Sequence, residues 1–220
     1  MELTFSRNNI PFRGRGLTFD DVLLVPRHSE IASRTTPVLK TKLTKNYEAE
    51  IPVISANMDT ITESAMAMAL ATLGGMGILH RFLSVEDQLS ELKKVSQETQ
   101  KNNLSSPLSA SIGVKEAGVE RARHLVDAGV QVITIDIAHG DSIMMLETLE
   151  SVKKLFPNVD VIAGNVATAE ATQRLINSGA DAIKVGIGPG SMCTTRIITG
   201  HGVPQLTAVS LCSLEADKYN

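Results

Sequence analysis

The residues most capable of chemistry lie in one short stretch, Gly186 to Arg196, which reads GIGPGSMCTTR. Three of its glycines alternate with other residues, so the backbone can approach a ligand closely and offer amides to a phosphate or carbonyls to a cation. Cys193 follows in a polar setting, where a thiol is placed for nucleophilic attack. The Thr195 hydroxyl can exchange protons with a substrate or water if a base or a cation such as Arg196 assists it. A plainer interpretation is an incidental surface thiol in an ordinary glycine turn.

Other candidate polar residues stand at the ends of apolar runs elsewhere in the chain. Asn57, Asp136 and Asn165 each end or directly follow such a run. If the runs are parallel strands, their carboxyl ends meet at one mouth, where α/β proteins bind ligands. Asp136 is interpreted either as a helix cap or as a ligand-binding carboxylate. His80 and His139 are interpreted either as hydrogen-bonding groups that support the site or as general bases.

Six short runs of apolar, often β-branched residues alternate with amphipathic segments, which is the pattern of an α/β protein with a parallel sheet. The predicted strands are 51–56, 75–80, 108–113, 130–137, 159–166 and 181–187. Thr60 with Glu63, and Ser84 with Asp87, are predicted capping boxes at helix starts. Glycines are expected to end three of the helices, since glycine accepts the left-handed conformation of a C-terminal cap. They are Gly74, Gly129 and Gly179.

Two α/β architectures fit this alternation, a (β/α)8 barrel and an open doubly wound sheet. A doubly wound sheet normally has its glycine-rich phosphate turn after the first strand, whereas here that turn comes after the sixth. We therefore predict a TIM (β/α)8 barrel, truncated to about six β/α units. Residues 1–50 lack the repeat and are expected to form a lead-in segment packed on the barrel. Residues 51–220 then form the partial barrel, with the cysteine loop at 186–204.

The composition of the 220-residue chain narrows the function further. Hydrophobic residues make up 43% and aromatic residues 3%, so the core is aliphatic and base-stacking nucleic-acid modules are disfavoured. The net charge of −3, without a long single-sign block, argues against nucleic-acid and anionic-membrane binding. No run approaches a membrane span and no signal peptide begins the chain, so a cytoplasmic protein with a small-molecule partner is expected. Cys193 and Cys212 are interpreted as reduced thiols, the second a structural one within a helix.

These features together resemble the IMP dehydrogenase/GMP reductase family, from Gly16 to the C-terminus. The motifs that carry the resemblance are GLTFDDVLLVP (16–26), IPVISANMDTITESAMAMA (51–69), GGMGILHR (74–81), ITIDIAHGDS (133–142), VIAGNVAT (161–168) and KVGIGPGSMCTTRIITGHGVPQLTA (184–208). The last block is the most specific of them. The resemblance implies a TIM-barrel oxidoreductase that acts at C2 of a purine 5′-monophosphate.

The resemblance also implies catalytic and substrate-binding roles. Cys193 matches the cysteine that attacks C2, giving a covalent adduct from which hydride leaves to NAD, or to which NADPH delivers it. Thr195 matches the catalytic threonine of the family. Substrate-binding roles are expected for the phosphate contact Ser191, for Met58 near the base, and for Asn57 and Gly190.

Cofactor and metal positions follow from the same resemblance. Asp136 matches the residue that holds the nicotinamide-side ribose of NAD or NADP, and Ala138 and Asn165 are expected to bind the cofactor beside it. The carbonyls of Gly188, Gly190 and Cys193 match a monovalent-cation site, usually potassium.

The direction of the reaction is not settled by the resemblance. Reductases commonly lack the CBS insert that is absent after the second unit here, although some dehydrogenases lack it too. Asn57 in ANMDT and the HRF at 80–82 favour GMP reductase, which converts GMP and NADPH to IMP and ammonia. The FDDVLLVP and TITESAMAMA motifs fit IMP dehydrogenase, which converts IMP and NAD to XMP, equally well. We favour the reductase and keep two alternatives, the dehydrogenase and a non-catalytic nucleotide-binding fragment. Because family members continue with two more strands and a flap, the 220-residue chain alone is expected to be inactive, and the full-length protein to be a homotetramer.

Overall fold

A computed structural model describes residues 15–219 of the chain and has the predicted α/β architecture. Its strands are β1 (Thr41–Lys42), β2 (Glu48–Ala49), β3 (Ser109–Ile112), β4 (Val132–Asp136), β5 (Asp160–Val166) and β6 (Ala182–Val185). Strands β1 and β2 form a small antiparallel hairpin. The other four form a parallel sheet in the order β3-β4-β5-β6.

Two further extended segments continue the sheet beyond β3. Ile54 pairs with Met76, and Leu79 pairs with Ala110, both in the parallel sense. The described residues therefore hold six parallel segments side by side in chain order. This sequential order is that of a (β/α)8 barrel, because a doubly wound sheet reverses its strand order at a switch point. The predicted strands 51–56 and 75–80 are single bridges here, not full strands.

Helices follow the parallel segments in turn. Their bounds are α1 (Ser64–Thr72), α2 (Val85–Lys101), α3 (Lys115–Asp127), α4 (Ile143–Leu155), α5 (Ala169–Asn177), α6 (Thr195–Thr199) and α7 (Gln205–Ala216). Between residues 15 and 219, no helix has both the length and the apolar character that crossing a membrane requires.

The predicted helix ends are confirmed at their glycines, and one of the two capping boxes is present in its Ser84 half. Gly74, Gly129 and Gly179 follow α1, α3 and α5 with φ of 83°, 95° and 98°, the left-handed conformation expected of them. At the start of α2, the Ser84 hydroxyl accepts the Asp87 N–H at 3.0 Å and donates to the Asp87 carboxylate at 2.8 Å.

The other capping box, Thr60 with Glu63, was predicted wrongly. Helix α1 begins only at Ser64, and Glu63 is its N-cap residue without a side-chain cap. The Glu63 carboxylate lies instead 3.4 Å from Nε2 of His80. Glu91 of α2 takes over the capping, because its carboxylate accepts the Ser64 N–H at 2.8 Å. A tertiary contact has thus replaced the local one.

The two faces of the sheet carry different cores. Along β4, Ile133 and Ile135 pack in the larger core, which includes the helices. Val132 belongs to a second cluster with residues of the neighbouring strands and the hairpin. Side chains alternate along a strand, so Asp136 shares the face of Val132. Asp136 therefore lies at the carboxyl end of β4 on the interior face of the barrel.

The β1–β2 hairpin closes the amino end of the sheet through one buried carboxylate. Asp160, at the start of β5, is 1% exposed. It accepts hydrogen bonds from the Thr44 hydroxyl at 2.6 Å, the Asn46 backbone N–H at 2.8 Å and the Asn46 side-chain amide at 2.6 Å. A buried carboxylate without such partners is strongly unfavourable, so these three bonds fix the hairpin to the sheet.

The described part of the lead-in segment contacts the barrel at its two ends. The Leu17 N–H donates to the Thr207 hydroxyl of α7 at 2.8 Å, and the Thr207 N–H donates to the Leu17 carbonyl at 3.2 Å. Between that contact and the hairpin, Leu23 and Leu24 are 94% and 97% exposed. The domain boundary at residue 50 stays a prediction.

Candidate active site

The cysteine-bearing segment is the loop that joins β6 to α6. It leaves the sheet at Gly186 and enters the helix at Thr195. Gly188 is buried with φ of 85°, and a Cβ there would lie 2.8 Å from the His201 carbonyl oxygen. Only glycine fits this position, because a side chain would clash with backbone and strain the turn. The sequence thus forces the loop to fold tightly against residues 201–202.

Cys193 is a half-buried thiol in a polar environment. The Thr195 hydroxyl and the Thr195 backbone N–H donate to it, and together they hold the pKa of the Cys193 thiol below its usual value. Burial opposes them with a smaller effect, and the Gly188 N–H and the positive charge of Arg196 add still smaller contributions that lower the pKa. A stabilised thiolate is the nucleophilic form of cysteine. Thr195 is thus the main influence on the pKa of Cys193, which couples the two residues predicted to be catalytic.

Cys212 has the opposite environment. It is 2% exposed within α7, and its thiol contacts the Thr168 carbonyl at 3.6 Å. Burial raises the pKa of the Cys212 thiol, although a hydrogen bond from Thr172 opposes the shift. The interpretation of Cys212 as a structural thiol agrees with this position. Of the two cysteines, Cys193 is therefore the one whose surroundings favour the thiolate.

Arg196 turns back from the first turn of α6 onto the same loop. Its Nη1 donates to the Gly188 carbonyl at 2.5 Å and to the Gly190 carbonyl at 3.0 Å. The Gly190 carbonyl also accepts the Cys193 N–H at 3.1 Å. Two of the three carbonyls expected to bind a monovalent metal ion are thus already engaged. The loop as arranged does not fit such an ion.

A second polar cluster lies at the carboxyl ends of β4, β5 and β6. Lys184 Nζ donates to the Asp136 carboxylate at 3.1 Å and to the Asn165 side-chain oxygen at 2.9 Å. Arg81 adds a hydrogen bond from Nε to the Asp136 backbone carbonyl at 3.1 Å. The structure thereby brings together Asp136 and Asn165, which the sequence assigned to the cofactor. Ala138 lies two residues beyond the end of β4 and is exposed.

The residues expected near the purine differ in exposure. Asn57 is 2% exposed, and no group in the described range 15–219 pairs with its side-chain nitrogen. Met58 beside it is 48% exposed. Ser191 and Gly190 are exposed on the cysteine loop. Within residues 15–219, no hydrogen bond joins Asn57 or Met58 to that loop.

Asp59, Glu63 and His80 also approach one another, with their ligand atoms within 4.8 Å. The Phe82 N–H donates to Nδ1 of His80 at 3.2 Å, so the ring proton is on Nε2, the nitrogen that faces Glu63. A metal ion needs an unprotonated ring nitrogen. His80 is wholly buried and hydrogen-bonded on both nitrogens, which fits the supporting role predicted for it and not that of a metal ligand.

Lys184 is the site residue that sequence reasoning missed. Its signal is a single charged residue inside the apolar run DAIKVGI. A lysine at the centre of a parallel strand is expensive to bury unless a partner stands beside it. The charge therefore marks the interior face of β6, although the sequence alone does not identify Asp136 and Asn165 as the partners.

Fold and site together define a class, that of parallel α/β barrels with a cysteine on a glycine-rich loop beyond the sixth parallel segment. The model of the IMP dehydrogenase / GMP reductase domain matches residues 16–220. The chain belongs to this family, as the sequence motifs predicted.

Individual relatives give the same result. An inosine-5′-monophosphate dehydrogenase of Cryptosporidium parvum is 46% identical, over 94% of this chain and 60% of the relative. Relatives of the same name from Borreliella burgdorferi and Nitrosopumilus maritimus are 40% and 34% identical, over 88% and 90% of this chain. The chain covers 58% of the first of these two and 66% of the second. It therefore spans about six tenths of the length of the curated relatives it matches.

The alignment lengths separate two kinds of relative. The match to the Nitrosopumilus protein extends over 316 residues, which exceeds the 220 residues of this chain, so that relative carries a long insertion inside the matched region. The match to the Cryptosporidium protein extends over only 243 residues. Relatives that are named dehydrogenases thus occur both with and without a long insertion.

Proposed function

We propose that this chain carries the nucleophilic part of an active site that oxidises C2 of inosine 5′-monophosphate with NAD. The observation that carries the proposal is the environment of Cys193, where the hydroxyl and N–H of Thr195 and the N–H of Gly188 stabilise a thiolate. Family membership supplies the substrate class. The contacts of the Cys193 thiol support its assignment as the reactive group.

The chemistry assigned to the loop balances in two steps. The Cys193 thiolate adds to C2 of the hypoxanthine as the electron pair of the C2–N3 double bond moves to N3, which takes up a proton, and C2 would then lose its hydrogen as hydride to NAD. Water then attacks the same carbon, the C2–sulfur bond breaks, and XMP and a free thiol result. Thr195, which donates to Cys193, holds the thiolate before the first step and stabilises it again as a leaving group in the second. Bound NAD supplies the hydride acceptor.

The purine monophosphate is assigned to the loop and to the first parallel segment. Exposed backbone and hydroxyl donors of Gly190 and Ser191 fit a phosphate. Asn57 has a buried side-chain nitrogen that lacks a partner between residues 15 and 219. Such a donor is costly unless a ligand accepts its hydrogen bond, so Asn57 is assigned to a substrate oxygen and Met58 to the base beside it.

The cofactor is assigned to the Asp136 cluster. Hydrogen bonding to Lys184 orients the Asp136 carboxylate at the carboxyl end of β4. A carboxylate there accepts hydrogen bonds from ribose hydroxyls. The contact between Lys184 and the Asn165 oxygen leaves the amide nitrogen of Asn165 free to donate to the cofactor, with Ala138 beside it. NAD is preferred over NADP because the relatives described above are IMP dehydrogenases.

The sequence motifs favoured GMP reductase, and we now prefer the dehydrogenase direction. The lack of a long insertion does not distinguish a reductase from a dehydrogenase, since the Cryptosporidium relative also aligns without one and is named a dehydrogenase. Reduction of GMP by NADPH remains the second candidate, supported by Asn57 in the ANMDT motif. No step is assigned to potassium, because Arg196 engages the carbonyls of Gly188 and Gly190.

A homotetrameric assembly and a cytoplasmic location belong to the same proposal and are expected of the whole protein. The exposed apolar residues Leu23 and Leu24 are compatible with burial against another subunit. A competing class, a nucleotide-binding protein without turnover, predicts affinity for IMP but no reaction.

One assay separates these possibilities. The full-length protein is purified and incubated with IMP and NAD, and separately with GMP and NADPH, while nicotinamide absorbance is followed and IMP binding is measured by calorimetry. The proposal predicts NADH formation with the first pair, its loss in Cys193→Ala and its retention in Cys212→Ala. Turnover of only the second pair supports the reductase instead. Binding of IMP without turnover of either pair contradicts the enzymatic proposal.

A further inference from the structure

We infer that the guanidinium of Arg196 is the built-in cation of the cysteine loop, and that it occupies the place where the loop carbonyls would otherwise bind a monovalent metal ion. Nη1 of Arg196 contacts the carbonyl oxygens of both Gly188 and Gly190, at 2.5 and 3.0 Å. An Nη nitrogen has two hydrogens, one for each carbonyl.

The Gly190 carbonyl has no lone pair left for a metal ion. Gly190 accepts from Arg196 and also from the Cys193 N–H at 3.1 Å, so both of its lone pairs are used. A metal ion bound to these oxygens would also lie beside a permanent positive charge, which is repulsive. Metal binding and the observed position of Arg196 are therefore mutually exclusive.

The fold holds the arginine in this position. A Cβ on Gly188 would lie 3.3 Å from Cβ of Arg196, and one on Gly202 would lie 3.7 Å from the same atom. The absence of side chains at both glycines makes room for the arginine stem between them. In the part of the chain between residues 15 and 219, no carboxylate forms an ion pair with Arg196. Its charge is thus directed at the loop carbonyls.

A fixed guanidinium differs from a metal ion in one measurable respect. Arginine stays charged across the working pH range, and its hydrogen bonds need no ion from solution. The stability of a loop that Arg196 organises therefore does not depend on which monovalent cation the buffer contains. A loop that a metal ion organises is stabilised by potassium in a saturable way, because a ligand that binds only the folded state raises its stability.

The test compares thermal unfolding in potassium chloride with unfolding in tetramethylammonium chloride at equal ionic strength. Four proteins are used: wild type, Arg196→Gln, Arg196→Lys, and Arg123→Gln as the control. Arg123 lies on the outer side of α3 and pairs only with Glu120, at 3.4 Å, within the described residues. Thermal unfolding in either salt is measured without turnover, so the result is independent of the proposed reaction.

Wild type, Arg196→Lys and Arg123→Gln are expected to unfold at the same temperature in both salts. Arg196→Gln is expected to unfold several degrees lower in tetramethylammonium and to recover part of that loss as potassium is added, with saturation. Saturable stabilisation of wild type by potassium overturns the inference. So does an Arg196→Gln protein that matches Arg123→Gln in both salts.

Crystals soaked in thallium(I) give a readout that does not depend on the variant folding. Anomalous density for thallium between the carbonyls of Gly188 and Gly190 in wild type overturns the inference. Density for the guanidinium at that point, with no thallium beside it, supports the inference even if Arg196→Gln cannot be purified.

Discussion

Nζ of Lys184 lies 2.9 Å from the side-chain oxygen of Asn165 and bridges two neighbouring strand ends. The bond determines which way the amide points, because the oxygen must face the ammonium and the nitrogen must face away. The same ammonium contacts the Asp136 carboxylate at 3.1 Å. Lys184 thus orients two residues assigned to the cofactor, without being assigned to it itself.

Replacing Lys184 by methionine is expected to raise the KM for NAD about tenfold while kcat changes less. The expectation follows from losing the orientation of Asp136 and Asn165, and tenfold corresponds to about 1.4 kcal/mol, within the range of one charged hydrogen bond. Steady-state kinetics with varied NAD measure it. Lys154→Met, on the exposed side of α4, is the control. An unchanged KM in Lys184→Met would show that the cluster does not serve the cofactor.

Removing the Thr195 hydroxyl is expected to raise the pKa of the Cys193 thiol toward that of a free cysteine. Thr195 is the largest cause of the lowered pKa of Cys193, so Thr195→Val should shift the midpoint of alkylation upward, toward the value of about 8.5 of a free cysteine. Iodoacetamide labelling across a pH series, read by peptide mass spectrometry, gives this midpoint. Thr194→Val should leave it unchanged. Equal midpoints in wild type and Thr195→Val would remove the proposed role of the hydroxyl.

Glu91 is expected to stabilise the fold above about pH 4.5 and to lose that effect in acid. Burial alone would raise the pKa of Glu91, but hydrogen bonds from Lys94 and Ser64 outweigh it and lower the pKa to about 2. A group whose pKa is lower in the folded state contributes fully above its unfolded pKa and loses the contribution as the pH falls through its folded pKa. Glu91→Gln should therefore be less stable than wild type at pH 7.

Urea unfolding at several pH values tests this expectation. The difference between wild type and Glu91→Gln should shrink as the pH falls from about 4.5 toward about 2. Glu116→Gln, which alters an exposed residue of α3, is the control. A difference that stays constant over this pH range would show that the charge of Glu91 is not what stabilises the start of α1.

Asp160→Ala is expected to lower the free energy of unfolding by about 3 kcal/mol, since three donors of Thr44 and Asn46 lose a buried acceptor. Chemical denaturation measures this loss, with Asp127→Ala on the exposed end of α3 for comparison. If Asp160→Ala has the same free energy of unfolding as wild type, the hairpin is not held by this carboxylate.

The parts of the fold that local physics determines could be predicted from the sequence. Gly74, Gly129 and Gly179 ended their helices as expected, because a left-handed cap is a property of the backbone at one residue. The capping box at Thr60 failed because Glu91, 28 positions beyond Glu63, supplies the acceptor. Such long-range replacements cannot be predicted from the spacing of neighbouring residues.

In the candidate site too, contacts between near neighbours could be predicted from the sequence and long-range contacts could not. Cys193 and Thr195 stand two positions apart in an unusual loop, so their contact could be anticipated. The partners of Lys184 lie 48 and 19 positions away, and only strand pairing brings them to it. Arg196 could be recognised as a nearby cation, but its two carbonyl partners depend on the turn at Gly188.

Covalent labelling tests most directly whether Cys193 is the nucleophile that attacks a purine monophosphate. The protein is incubated with a 6-chloropurine ribotide, with and without excess IMP, and the modified peptide is identified by mass spectrometry. We predict one adduct on Cys193, suppressed by IMP and absent from Cys193→Ala. An adduct on Cys212, or labelling of neither cysteine, would contradict the account.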